Sequence, residues 1–189
     1  MSRTNPLAER ERALEDLFFK KENERLIEAM RARKSREAQF DALSNALGVK
    51  SPALIDPLLD LGVREENVTA LVLAPLVAVA WADHELHDDE RRALLKAEHD
   101  FAIEPESDAG QLLDHWLHHR PHESLLDAWA AYVRELCQVL PAEEKERLRE
   151  DVLTRARDIL DTFENSLQRG GGPSEPEKQA IAKIEAAFG

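Results

Sequence analysis

Apolar residues along this chain fall at helical spacing, and no alternating run of β-branched residues marks a strand. From Pro6 to Leu47 there is neither Gly nor Pro after Pro6, and the apolar residues come in three groups separated by charged turns: Leu14, Leu17 and Phe18; Leu26, Ile27 and Met30; Phe40, Leu43 and Leu47. That is a narrow stripe on one long charged helix, capped by Asn5 and opened by Pro6. Gly48 stands where a left-handed residue ends such a helix, Ser51-Pro52 opens a short helix to Leu61, and Gly62 turns the chain again. The run from Val68 to Trp81 is almost uncharged and has no polar face, the pattern of a helix surrounded by others. It is too short to span a bilayer, and Pro75 inside it predicts a kink.

A polar knot follows, and then further helices. Asp88 to Phe101 sets Leu94, Leu95, Ala97 and Phe101 on one face and ends at Glu104-Pro105, while Gln111 to His119 is stopped by Pro121. Glu123 to Leu140 carries Leu125, Leu126, Trp129, Tyr132, Val133 and Leu136, and a long helix with Leu148, Val152, Ile159, Leu160 and Phe163 reaches Leu167. Gly170 to Pro173 reads as a turn, and Ser174 with Glu177 three residues on starts a last helix with a capping box. The expected fold is all-α, a single bundle of seven or eight helices in which the segments before Asp83 and after His87 form an antiparallel hairpin. Residues 1–47 are the charged arm and residues 48–189 the bundle.

Composition narrows the function classes. A length of 189 residues suits one domain, or one with an appendage, and 43% hydrophobic residues with 5% aromatic ones predict aliphatic packing between helices. The net charge of −13 opposes non-specific binding to nucleic acid, which rests on neutralising phosphates. The first 40 residues run the other way, with ten basic against eight acidic side chains, so the remainder carries −15. The arm either packs its stripe on the domain or takes a protein partner, a second copy included. Its basic cluster Arg31, Arg33, Lys34 and Arg36 is flanked by glutamates, which argues against a membrane surface as its target. Cys137 is the single cysteine and sits among core-type residues, so no internal disulfide forms and a thiol nucleophile is not expected. No apolar run opens the chain, which predicts a cytoplasmic protein. A phosphate loop is not indicated either, since Gly170 to Gly172 lack the following Lys-Ser/Thr and the preceding strand.

Two constellations carry chemistry. In the first, Asp83, Glu85, Asp88, Asp89 and Glu90 crowd one turn, and a hard divalent cation such as calcium, magnesium or manganese would relieve their repulsion through oxygen ligands. Asp83, Glu85, Asp88 and Glu90 are the candidate ligands. The plainer reading is capping: His87 or Asp88 caps the next helix, Glu90 completes a capping box, and the other carboxylates are solvated. In the second, all seven histidines lie between His84 and His122, with His115, His118 and His119 at one-face spacing and His84-x-x-His87 in the acidic turn. A zinc or nickel site and a solvated helix end beside Pro121 both fit that pattern.

The stretch V-A-W-A-D-H-E-L-H-D-D-E-R-R-A-L-L also resembles the signature of the tellurite-resistance TerB-like family, in which an apolar helix is followed by Ala-Asp-Gly-Glu, an apolar residue, Ser or Thr, two variable residues, Glu and another helix. Ala82, Asp83, Glu85, Leu86 and Glu90 match, while His84 replaces the Gly and His87 the Ser or Thr. Near the C-terminus, R-G-G-G-P-S-E-P-E-K-Q-A-I-A-K-I-E-A-A-F resembles the second such turn of that family, with Gly171, Ser174 and Glu177 in register with His84, His87 and Glu90. The resemblance covers Val68 to Phe188 and implies a non-enzymatic helical module that binds a divalent cation through acidic residues, and a protein partner, in a bacterial stress response. The loss of Gly at His84 bears on loop geometry, because the family's Gly implies a positive φ there, which other residues adopt less readily. The arm segment E-R-A-L-E-D-L-F-F-K-K-E-N-E is faintly similar to the N-terminus of the ATP-synthase inhibitor zeta subunit of some bacteria. Two other classes stay open, a metal-free interaction scaffold acting through the arm and a metal-dependent hydrolase, the latter requiring four or more convergent ligands.

Overall fold

A computed structural model describes the backbone of residues 6–167 and 174–189 and the side chains of residues 20–160 and 174–189. Among the described residues the chain is all-α, with eight α-helices and one 3-10 helix and no strand. It divides into two compact units, Met1–Asp41 and Ala42–Gly189. The division falls inside the first helix, α1 (Pro6–Leu47), ahead of the Gly48 corner that the sequence offered as the boundary. Its last turn belongs to the second unit, where Leu43 is fully buried.

The first unit is a single charged helix. Leu26, Ile27 and Met30, the middle group of the expected stripe, are exposed, Met30 by 71%. Local ion pairs, Glu22 with Arg25 at 2.7 Å and Arg33 with Glu37 at 2.9 Å, run along its surface; such pairs add about 0.2–0.5 kcal/mol each to a helix. The side chains of Leu14, Leu17 and Phe18 lie outside the described residues.

In the second unit, Gly48 (φ 69°) and Gly62 (φ 86°) make the left-handed corners on either side of α2 (Pro52–Asp60). The uncharged run does not form one kinked helix. It splits into a 3-10 helix (Glu65–Val72) and α3 (Ala74–Ala80), with Pro75 in the first turn of α3. The reason is positional: a proline in a first turn removes an N–H that had no helical partner, so the break comes before it. The short α3 is the centre of the unit, packed against α4 (Asp88–Asp100), α6 (Leu125–Val139), α7 (Ala142–Leu167) and α8 (Glu175–Ala187). Six of its seven residues are buried. The expected α3–α4 hairpin is only a minor contact, since α4 rests mainly on α7. There Arg155 lies 4.4 Å above the Phe101 ring and 3.3 Å from Asp100. On α4, Leu94 and Ala97 face the core, whereas Leu95 is 46% exposed, a correction to the predicted face.

α5 (Asp108–His118) starts earlier than the spacing indicated, because Ser107 accepts a hydrogen bond from the Gly110 N–H at 3.1 Å and caps it. A Cβ at Gly110 would stand 2.3 Å from the Glu104 carbonyl oxygen, so this approach of helix to loop requires glycine. Val152, Ile159 and Leu160 of the α7 stripe are buried, and Trp129 meets Phe188 edge-on at 6.1 Å, fastening the end of α8 to α6. Phe163 and the Gly170–Pro173 turn lie outside the described side chains, and so does the register match at Gly171.

Candidate functional site

The acidic turn is built from the end of α3. The Trp81 indole N–H donates to the Trp116 carbonyl at 2.9 Å, which ties the turn to α5. His84 N–H then reaches back to the Trp81 carbonyl at 3.0 Å, and His84 itself takes φ 77°. This is the left-handed conformation a glycine adopts most readily, held here by an imidazole-bearing residue whose Nδ1 meets the Arg120 guanidinium.

Asp83 is not idle at this point. Its Oδ1 accepts from the Glu85 N–H at 3.1 Å, and its Oδ2 stands 3.9 Å from His87 Nε2. The first of these contacts closes the turn from within. His87 is the residue before α4, and its N–H donates to Glu90 Oε2 at 3.0 Å, the reciprocal half of a capping box. At the start of α8 the Ser174 N–H donates to Glu177 Oε2 at 2.5 Å and the Glu177 N–H to Ser174 Oγ at 3.4 Å. The two helix starts share the bond from the N-cap N–H to the glutamate three residues on.

Glu90 and Glu177 are both buried, at 1% and 4% exposure, which is rare for carboxylates. Burial pushes the Glu90 carboxyl up to about 7; the bond from His87 N–H opposes this, and the negative charges of Asp83 and Glu177 add to it. Three acids from the turn, the start of α4 and the start of α8 thus share one electrostatic field. Of the four sequence candidates, Asp83 and Glu90 are brought together, while Glu85 and Asp88 are exposed. Glu177 joins them in their place. Its signal in the sequence was the second capping box in register with the first, a pattern read as a family likeness and not as a ligand. Asp89 is paired with Arg92.

Among the described residues no group of three or more His, Cys, Asp or Glu side chains is set to hold a metal ion as the side chains stand. What Asp83, Glu90 and Glu177 offer is hard oxygen donors and mutual repulsion, which either a proton or a hard cation would relieve. The histidines spread out: His115 and His119 stack at 4.7 Å, and His118 Nδ1 lies 2.9 Å from the Asp114 carbonyl, all three exposed. His122 bonds Ser124 instead. Cys137 is half-buried.

Fold and site together define a class: among the described residues, an all-helical protein with two acidic helix starts whose buried glutamates, Glu90 and Glu177, lie within electrostatic reach. Comparison with known proteins adds no relative to that description, since no family model, no curated protein and no solved structure matches the chain. No described helix is long and apolar enough to cross a membrane.

Proposed function

We propose that the chain is a non-enzymatic helical module of the TerB-like kind, which takes a divalent cation between the starts of α4 and α8 and a protein partner through its arm, in a bacterial stress response. One observation supports the cation half above others: Glu90 is buried in the field of Asp83 and Glu177. Three carboxylates that each accept one backbone N–H keep further lone pairs for calcium, magnesium or manganese. The family likeness, on Asp83, Glu85 and Glu90 in one turn and Ser174 and Glu177 in the other, points the same way.

The test is a thermal melt of the full chain, stripped of metal, with each of the three ions. Binding stabilises by mass action, about 2.7 kcal/mol at a hundredfold excess over the dissociation constant. For a chain of this size that raises the melting temperature by roughly 5–10 °C. Asp83→Asn and Glu177→Gln should each abolish the rise, and Glu85→Gln should leave it. If millimolar ion moves neither the melting temperature nor tryptophan emission, the two glutamates are structural caps only.

The second reading, a metal-free scaffold acting through the arm, is favoured by the exposure of Leu26, Ile27 and Met30 and by the backbone hydrogen bonds that already engage both buried glutamates.

A further inference from the structure

We propose that the cleft beside the acidic turn binds a carboxylate carried on a compact apolar body, with the Arg120 guanidinium as the group that holds the carboxylate. The cleft encloses about 260 Å³ where the end of α3, the loop between α5 and α6, the start of α6 and the outer face of α8 meet. Its floor is apolar, with Leu125, Leu126 and Ala180 all buried and the Trp81 ring beside them. The Trp81 N–H is spent on the Trp116 carbonyl, so what the ring offers the cleft is its carbon surface. Pro121 and Pro176 stiffen the two sides.

The rim decides the ligand. Lys183 lines the cleft, but its ammonium is 2.5 Å from Asp127 and is already neutralised. Arg120 is different: among the described residues its partner is His84 Nδ1, and no carboxylate pairs with it. In a chain of net charge −13, a guanidinium at a cleft mouth with no carboxylate paired to it is out of keeping with its surroundings. One N–H used on an imidazole leaves donors for a carboxylate, whose geometry the guanidinium fork matches. His122 adds a donor. Its Nδ1 accepts from the Ser124 N–H at 3.2 Å, which places the proton of the neutral ring on Nε2. Glu123, also on the rim, repels negative charge that Arg120 does not neutralise, and one guanidinium neutralises one carboxylate, so a monocarboxylate is favoured over a diacid.

The volume lies just below the roughly 300–1,000 Å³ of sites for drug-sized ligands. It suits one ring or branched aliphatic group with its acid, either as a free small molecule or as the C-terminal residue of a partner peptide. The site uses none of the three acids of the cation reading and does not depend on it.

Phenylacetate and phenylacetamide, and the peptide Gly-Gly-Phe with a free or an amidated C-terminus, are titrated into the ¹⁵N-labelled full chain in metal-free buffer at neutral pH. Saturable shifts at the Gln179 side-chain amide and the Trp81 indole, with dissociation constants on the order of 1 mM or tighter, are expected for at least one acid. Its amide should bind at least about tenfold more weakly, and so should the acid to Arg120→Gln, an exposed position whose substitution leaves the core intact. Arg147→Gln, on α7, is the control and should bind like the unsubstituted chain. Binding of the peptide acid alone identifies a partner's C-terminus as the ligand, and binding of phenylacetate identifies a free acid. Equal binding of acid and amide, undiminished binding by Arg120→Gln, or no saturable shift with any of the four compounds overturns the proposal.

Discussion

Glu90→Gln tests the electrostatics of the site with the smallest change of shape. The amide keeps the size of the carboxyl and an oxygen to accept from the His87 N–H, but it cannot ionise. Raising the Glu90 carboxyl from 4.5 to about 7 corresponds to ~3 kcal/mol held against the ionised form. Residual structure in the unfolded chain reduces this to about 1–3 kcal/mol. The sign follows from proton counting. Below pH 4.5 the carboxyl is protonated in folded and unfolded chains alike, and the favourable term is fully present. Between 4.5 and about 7 the folded chain keeps a proton that the unfolded chain has released, so stability falls as pH rises. Above 7 the loss is complete. Urea melts of both proteins from pH 5 to 8 should therefore show the unsubstituted chain losing about 1–3 kcal/mol more than Glu90→Gln, with the variant the more stable at pH 8. Subtracting the two curves removes contributions common to both, such as His87 against Asp83. Parallel curves would falsify the claim that Glu90 is held in a desolvated, negatively charged setting.

Removing Met1 to Arg36 takes away most of the first unit, which ends at Asp41, and should leave the melting temperature of the remaining helices within a few degrees while abolishing any self-association seen by light scattering; collapse of the whole fold would show that the arm is core. His84→Gly relieves a left-handed backbone that costs a non-glycine residue on the order of 1 kcal/mol or more. A small gain in chemical-denaturation stability is expected, and a loss would mean that the contact with Arg120 outweighs the strain.

Local chemistry was legible in the sequence wherever it stayed local. Pro6, Gly48, Pro52 and Gly62 marked ends and starts that the structure places within a residue or so, because each acts through its own φ or its missing N–H. Pro75 was misread because the same residue kinks a helix from inside and opens one from the first turn, and only the 3-10 segment ahead of it, a matter of how Asn67, Ala70 and Leu71 pack, tells the two apart. Leu95 was misread because Leu94 and Leu95 both fit a broad stripe until α7 selects one of them.

The site divides along the same line. Each capping box could be read from its own few residues, His87 to Glu90 and Ser174 to Glu177, since the bonds that make it span three positions. That Glu90 and Glu177 act on one another could not, because 87 positions separate them and only the packing of α3 against both α4 and α8 brings them near. The family likeness aligned the two turns without saying why the alignment matters physically. Burial supplies the reason: a capping glutamate at an exposed helix start is a minor stabiliser, whereas Glu90, buried and within the field of Asp83 and Glu177, is held back from ionising. Whatever neutralises Glu90, proton or cation, acts at the start of a helix that packs on α3, and so on the centre of the unit.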